Sequence, residues 1–241
     1  MFQRWAAGYV AERPGQPIAV LLAGAVSAVG DLGLAALAGD AGPVTFTLLD
    51  ADQPVTRSAA AVQPGLQGCH LGDLRTLPLP PRSFDIAVCT GLLDRIEHTE
   101  VVADRLVGAL KPGGLLLLAV RDRDCAAGFL DRVLPGGLRA AIWRRHRPGR
   151  PGPYPAVYER LSSVRGIQSY ALHRGLVIAD RQPLGGNAGG LCPAPRGYLA
   201  AQRALTRLSG DRLTAAHEEF LFVLRKPENR FARIVAGATP V

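Results

Sequence analysis

Two apolar runs separated by an amphipathic segment and a Lys-Pro-Gly-Gly turn constrain the fold of this chain more than any other feature. Phe84 to Thr90 reads FDIAVCT and Leu115 to Val120 reads LLLLAV, the pattern of strands covered on both faces. Between them, Val102, Leu106 and Leu110 recur at i, i+4, i+8 within Glu100 to Leu110, which predicts a helix with one apolar face. Lys111 suits the negative end of that helix's dipole. Pro112 cannot continue the helix, and Gly113-Gly114 make the turn into the second strand.

The same rhythm runs through the rest of the chain. Residues 1–16 predict a short helical lead that ends at Pro14-Gly15. Ile18 to Ala23 is a continuous apolar run, followed by a small-residue loop and a helix from about Ala28 to Ala38 that Gly39 and Gly42 end. Val44 to Leu49 is a second strand that stops at Asp50, and Leu66 to Leu71 is a weaker third. After Val120 the composition turns to Arg, Pro and Gly over residues 121–155, around an amphipathic stretch from Phe129 to Trp143. Tyr158 to His173 predicts a helix, Leu176 to Asp180 a strand, Tyr198 to Leu208 a helix and Glu219 to Leu224 a final strand. Strands alternating with helices call for an α/β fold with a doubly wound, mostly parallel sheet of seven strands. No internal repeat and no second domain is evident. The reading is one domain over residues 1–241, with 121–155 as an insertion between the fifth and sixth strands.

Composition excludes several classes. At 241 residues the chain can bury a sizeable core, and 48% hydrophobic with 20% charged residues is ordinary for a globular protein. Cys69, Cys89, Cys125 and Cys192 form no CxxC pair, so neither a metal site nor a disulfide framework is expected. Free thiols fit a reducing compartment, and the expected location is cytoplasmic, extending to the membrane periphery. Pro17 to Gly30 is too short to span a bilayer and reads as a first core strand with its loop rather than a cleaved leader. The chain lacks the G-x-G-x-x-G loop that would cradle a dinucleotide pyrophosphate, which argues against a nicotinamide-dependent oxidoreductase.

Residues Gly72 to Val120, GDLRTLPLPPRSFDIAVCTGLLDRIEHTEVVADRLVGALKPGGLLLLAV, resemble the second half of the nucleotide-binding core of class I S-adenosylmethionine-dependent methyltransferases of the type 11-like group. The resemblance extends more loosely over residues 16–225. It implies a Rossmann-like sheet whose last strand runs antiparallel, S-adenosylmethionine as cofactor, and methyl transfer to a small-molecule or lipid-like acceptor. It also implies that residues 121–155 form a lid over the substrate pocket. The loop after the first strand departs from the family. Leu22 stands at the usual acidic position, Val26 and Ala28 stand at the two later glycine positions, and only Gly24 fits. That degenerate motif supports a second expectation: a methyltransferase-like protein that has lost cofactor binding and acts as a scaffold or binds another ligand.

The resemblance assigns roles residue by residue, each with a plainer structural alternative. Gly24 would leave room near the methionine moiety, or simply pack in a tight loop. Asp50, at the end of an apolar strand, would accept hydrogen bonds from ribose hydroxyls, or be a solvated turn residue, with Asp52 as fallback. Asp73 would take the exocyclic amine of adenine, with Leu74 packed on the ring. Thr90 to Leu93 would pass beside the transferred methyl group, and Leu92 to Asp94 would border the acceptor. His98 is the best single candidate for a general base, since neutral imidazole takes a proton near pH 7, and Asp94 is the second catalytic candidate.

Arg139, Arg144, Arg145, Arg147 and Arg150 concentrate much of the formal net charge of +8. Three readings are open: an acidic or phosphate-bearing ligand, an amphipathic surface element, or a solvated cap helix over the pocket. Aromatics are sparse there and no recognition motif is present, so nucleic acid is a disfavoured partner.

Overall fold

The structure is a computed structural model that describes residues 1–24, 42–61, 65–146, 155–184, 196–210 and 212–228. Its strands are β1 (Ile18–Ala23), β2 (Val44–Asp50), β3 (Leu66–Leu71), β4 (Phe84–Thr90), β5 (Leu110–Arg121), β6 (Val177–Leu184) and β7 (Glu219–Arg225). They form one seven-stranded sheet in the order β3-β2-β1-β4-β5-β7-β6. Strands β1 to β5 pair in parallel, and β7 runs antiparallel between β5 and β6. The predicted doubly wound, mostly parallel sheet is what the chain forms.

Alternation along β1 splits the core into two layers. Val20 and Leu22 point to one face and Leu21 and Ala23 to the other, as a pleated strand requires. On the first face they meet Phe2, Ala6, Tyr9 and Val10 of α1 (Phe2–Ala11). On the second they join the cluster that takes Val102 and Leu106 from α3 (Thr99–Ala109) and Ile167 and Tyr170 from α6 (Val164–His173). Each such fully buried side chain contributes about 1.5–3 kcal/mol.

A single carboxylate ties the layers together. Asp85 of β4 is buried, yet it accepts hydrogen bonds from the Tyr9 hydroxyl (3.3 Å), the Ala19 amide (2.9 Å) and Lys111 Nζ (2.7 Å). Lys111 therefore has an ion-pair partner of its own besides the end of α3. The Lys-Pro-Gly-Gly turn lies inside β5, where the pairing with β4 shifts register between Phe84 and Ile86. Gly113 sits at φ +78° there, a conformation that L side chains rarely adopt.

Several predicted boundaries change. The Phe129 to Trp143 stretch is two helices, α4 (Ala126–Val133) and α5 (Gly136–His146), because Pro135 interrupts it. Tyr158 does not start a helix. It stands at φ 50°, and α6 begins six residues later, where the Ser163 hydroxyl accepts from the Gly166 amide at 3.0 Å. The sixth strand runs on to Leu184 and the helix before β7 is α7 (Arg196–Leu208). The helix α2 (Pro54–Ala61) is unanticipated. The helix predicted from Ala28 to Ala38 lies outside the described residues, as do Val26, Ala28, Arg147, Arg150 and Cys192.

Candidate functional site

In an open α/β sheet the carboxyl ends of the strands line the ligand crevice, at the point where the strand order reverses. Here that point is β1, flanked by β2 and β4. Most of the sequence-predicted residues lie at the ends of β1, β2, β3 and β4 or in the turns that follow them.

Gly24 ends β1 at φ +70° and donates its amide to the Leu49 carbonyl at 3.0 Å. A Cβ at this position would lie 2.6 Å from the Leu92 Cβ, 2.9 Å from the Thr90 carbonyl oxygen and 3.3 Å from Arg95 Nη2. The glycine thus clears space for the turn after β4 and for Arg95. Thr90, at the end of β4, is half-buried and supplies that backbone oxygen.

Asp50 at the end of β2 is fully buried. It is not a solvated turn residue. Arg95 Nη2 donates to both its carboxylate oxygens, at 2.7 and 2.9 Å, and the Ala51 amide adds a bond of 2.7 Å to one of them. Burial pushes its carboxyl above the ordinary range, against the opposing pull of the Arg95 guanidinium. Arg95 is itself 4% exposed.

Asp73 lies in the turn after β3 and is open to solvent. Its carboxylate accepts from Arg75 Nε at 2.9 Å, Arg75 Nη2 at 2.8 Å and the Arg75 amide at 3.0 Å. These bonds, the side-chain ones foremost, hold its carboxyl down at about 2. Leu74 turns inward and joins the core cluster of Leu49 and Leu92. Asp52, the fallback, pairs with Arg57 on the surface.

The two catalytic candidates separate. His98 is exposed at φ 57°, one residue before α3. Its amide donates to Glu159 at 2.8 Å, and Glu159 also accepts from the Thr99 amide and hydroxyl, each at 2.9 Å. The His98 ring is within electrostatic reach of Asp73 and Glu159. Asp94 is buried on the β5 side, and among the described residues its Oδ1 has no hydrogen-bond partner. Burial pushes its carboxyl up, with Arg121 opposing.

A polar cluster that the sequence reading missed surrounds Asp94. Arg121, at the end of β5, lies 3.6 Å from Asp131 of α4 and 3.5 Å from Glu219 at the start of β7. Asp131 also accepts from Arg139 Nε of α5 at 2.8 Å and from the Tyr158 hydroxyl at 2.9 Å. The amides of Val157 and Tyr158 bond the Asp94 carbonyl at 3.0 and 3.1 Å. One carboxylate therefore anchors α4, α5 and the segment before α6 to the mouth of the sheet. Arg121 had a signal in the sequence, as the first charge after the apolar run of β5. Arg95 and Glu159 had none, since their partners lie 45 and 60–61 positions away.

The helices α4 and α5 expose Val133 and Leu138, and Arg144 and Arg145 are exposed beside them. Among the described residues no helix is long and apolar enough to cross a membrane.

Comparison with known proteins agrees with this fold. Residues 27–118 match the methyltransferase domain family. No curated protein matches the chain significantly in sequence. A loganic acid methyltransferase solved with S-adenosylhomocysteine superposes with a TM-score of 0.59 at 11% identity, over 95% of this chain and 92% of that one. An S-adenosylmethionine-dependent methyltransferase from Mesorhizobium loti gives 0.52 at 17% identity, over 92% and 96%. A methyltransferase-like protein from Bacillus halodurans C-125 gives 0.51 at 12% identity, over 92% and 98%. At such identities the likeness establishes the fold.

Proposed function

We propose that this chain, whose residues 27–118 match the methyltransferase domain family, transfers a methyl group from S-adenosylmethionine to the hydroxyl or amine of a small-molecule or lipid-like acceptor. The chemistry of the donor set fits the cofactor. A carboxylate at the end of β2 already takes two hydrogen bonds from one side, as it would from a ribose diol, and a second carboxylate, paired with Arg75, lies exposed in the turn after β3. Asp50 would hold the ribose and Asp73 the adenine amine. Leu74, turned into the core, would support the turn from beneath. When bound, S-adenosylmethionine supplies an electrophilic methyl group on a sulfonium.

The observation that carries the reading is Asp94. A buried carboxylate oxygen without a partner, beside the end of β4, is suited to accept a proton from an acceptor O–H or N–H. Its raised pKa brings its proton affinity closer to that task. Arg121 steadies the ionised form. His98 sits at the exposed rim beside Asp73, which favours a binding role over proton transfer. The apolar and cationic surface of α4 and α5 suits a lipid-like acceptor with an acidic or phosphate-bearing group, at the membrane periphery.

Titration calorimetry with S-adenosylmethionine and S-adenosylhomocysteine tests the reading. Saturable binding that Asp73→Ala weakens supports it. Absence of binding both by the folded protein and by its Arg95→Gln variant would overturn it. One observation favours the second reading, a methyltransferase-like protein without cofactor: the Asp50 carboxylate is already engaged by Arg95.

A further inference from the structure

Arg95 reaches unusually far for a residue in a turn. It follows β4, yet its guanidinium ends on Asp50 at the tip of β2, two strands away in the sheet. The turn that carries it packs against Gly24 just after β1, and from there the side chain reaches across to β2. That path runs through the crevice where the strand order reverses. Gly24 lies beneath it, and the space a Cβ would need there is only 3.3 Å from Arg95 Nη2. The pair is dry: Arg95 is 4% exposed and Asp50 0%.

We infer that Arg95 is an internal competitor for Asp50, so that ribose hydroxyls reach this carboxylate only when Arg95 has withdrawn. The inference rests on the methyltransferase reading. Arg95 makes the two hydrogen bonds that a vicinal diol would make, to the same two oxygens. Unlike a diol it also neutralises the carboxylate. A ligand must therefore replace a charged partner with neutral donors in a buried place, and its apparent affinity falls by the fraction of molecules with Arg95 withdrawn. Arg95 thus sets how tightly the chain holds its nucleoside, independently of the altered loop that follows Gly24.

The test compares the wild type with Arg95→Gln and Arg95→Met by calorimetry, using S-adenosylhomocysteine and adenosine as probes. Gln keeps a neutral donor for Asp50, which guards against the Met variant failing to fold. The expected result is that Arg95→Gln binds both probes roughly tenfold or more tightly than the wild type. Asp50→Asn in the Arg95→Gln background should cancel the gain. A residue with a merely structural role would not tighten binding when replaced. Equal or weaker binding by Arg95→Gln would overturn this inference and leave the methyltransferase reading standing. No binding by either protein would overturn both together.

Discussion

At the scale of single residues, the proposed role of Asp94 as a base comes with a cost in stability. Its carboxyl is buried with one oxygen unpartnered among the described residues, and burial lifts its pKa. A group that binds protons more readily folded than unfolded makes the protein less stable as pH rises from the unfolded pKa, near 3.8, through the folded one. Above that window the penalty is constant. Asp94→Asn removes the charge while keeping the shape. It should raise stability by about 1 kcal/mol at pH 7, and give no gain below the carboxylate range. Urea denaturation at two pH values checks this, and an unchanged midpoint at pH 7 would count against the burial argument. The same variant should lose methyl transfer, a pairing of gain and loss expected where a site is kept strained for function.

At the scale of elements, α3 is started by a distant residue. Its N-terminus has no side-chain cap of its own, and Glu159 supplies one from the segment before α6 by accepting from the His98 and Thr99 amides. Burial would raise the Glu159 carboxyl, but these bonds prevail and hold it below its ordinary range. The stability it contributes is present above the unfolded pKa, near 4.5, and is lost as pH falls through the folded value. Glu159→Ala should cost about 1–2 kcal/mol at neutral pH and little under acid conditions, read by thermal unfolding across pH. Such a cap also explains what the sequence could and could not disclose. The helix from Glu100 to Leu110 was legible because its apolar spacing is local. The residues from Tyr158 to Ser163 also carry helix-compatible chemistry, but Tyr158 takes a left-handed backbone and Ser163 caps the next helix instead. Long-range partners override local preference there. The short α2 went unseen because it presents no apolar periodicity of useful length.

At the scale of the whole molecule, the sheet was legible because strands covered on both faces announce themselves as apolar runs. The candidate site was legible only as far as strand ends are. Gly24, Asp50, Asp73, Thr90 and Asp94 do lie at the ends of strands or in the turns that follow them, but which side chains pair across them depends on the fold, as Arg95 and Arg121 show. The first helix makes a whole-molecule prediction. Phe2, Tyr9 and Val10 cover one face of the sheet, and Tyr9 reaches Asp85. Removing residues 1–13 should cost about 5 kcal/mol from those side chains alone. The shortened chain should run as aggregate in size-exclusion chromatography, whereas a monodisperse product would show that this face needs no cover.

The placement of β7 sets a timetable. It is the last strand among the described residues, yet it lies inside the sheet, between β5 and β6. During synthesis β5 therefore emerges well ahead of its partner, since even the nearest pair, Arg121 and Glu219, lies 98 positions apart. Until β7 arrives, the ribosome-bound chain carries an unmatched strand edge on β5 and a β6 with nothing to join. Closure of the sheet is a late event that awaits the synthesis of β7, and the intervening interval is when this protein is most exposed to mispairing with its neighbours.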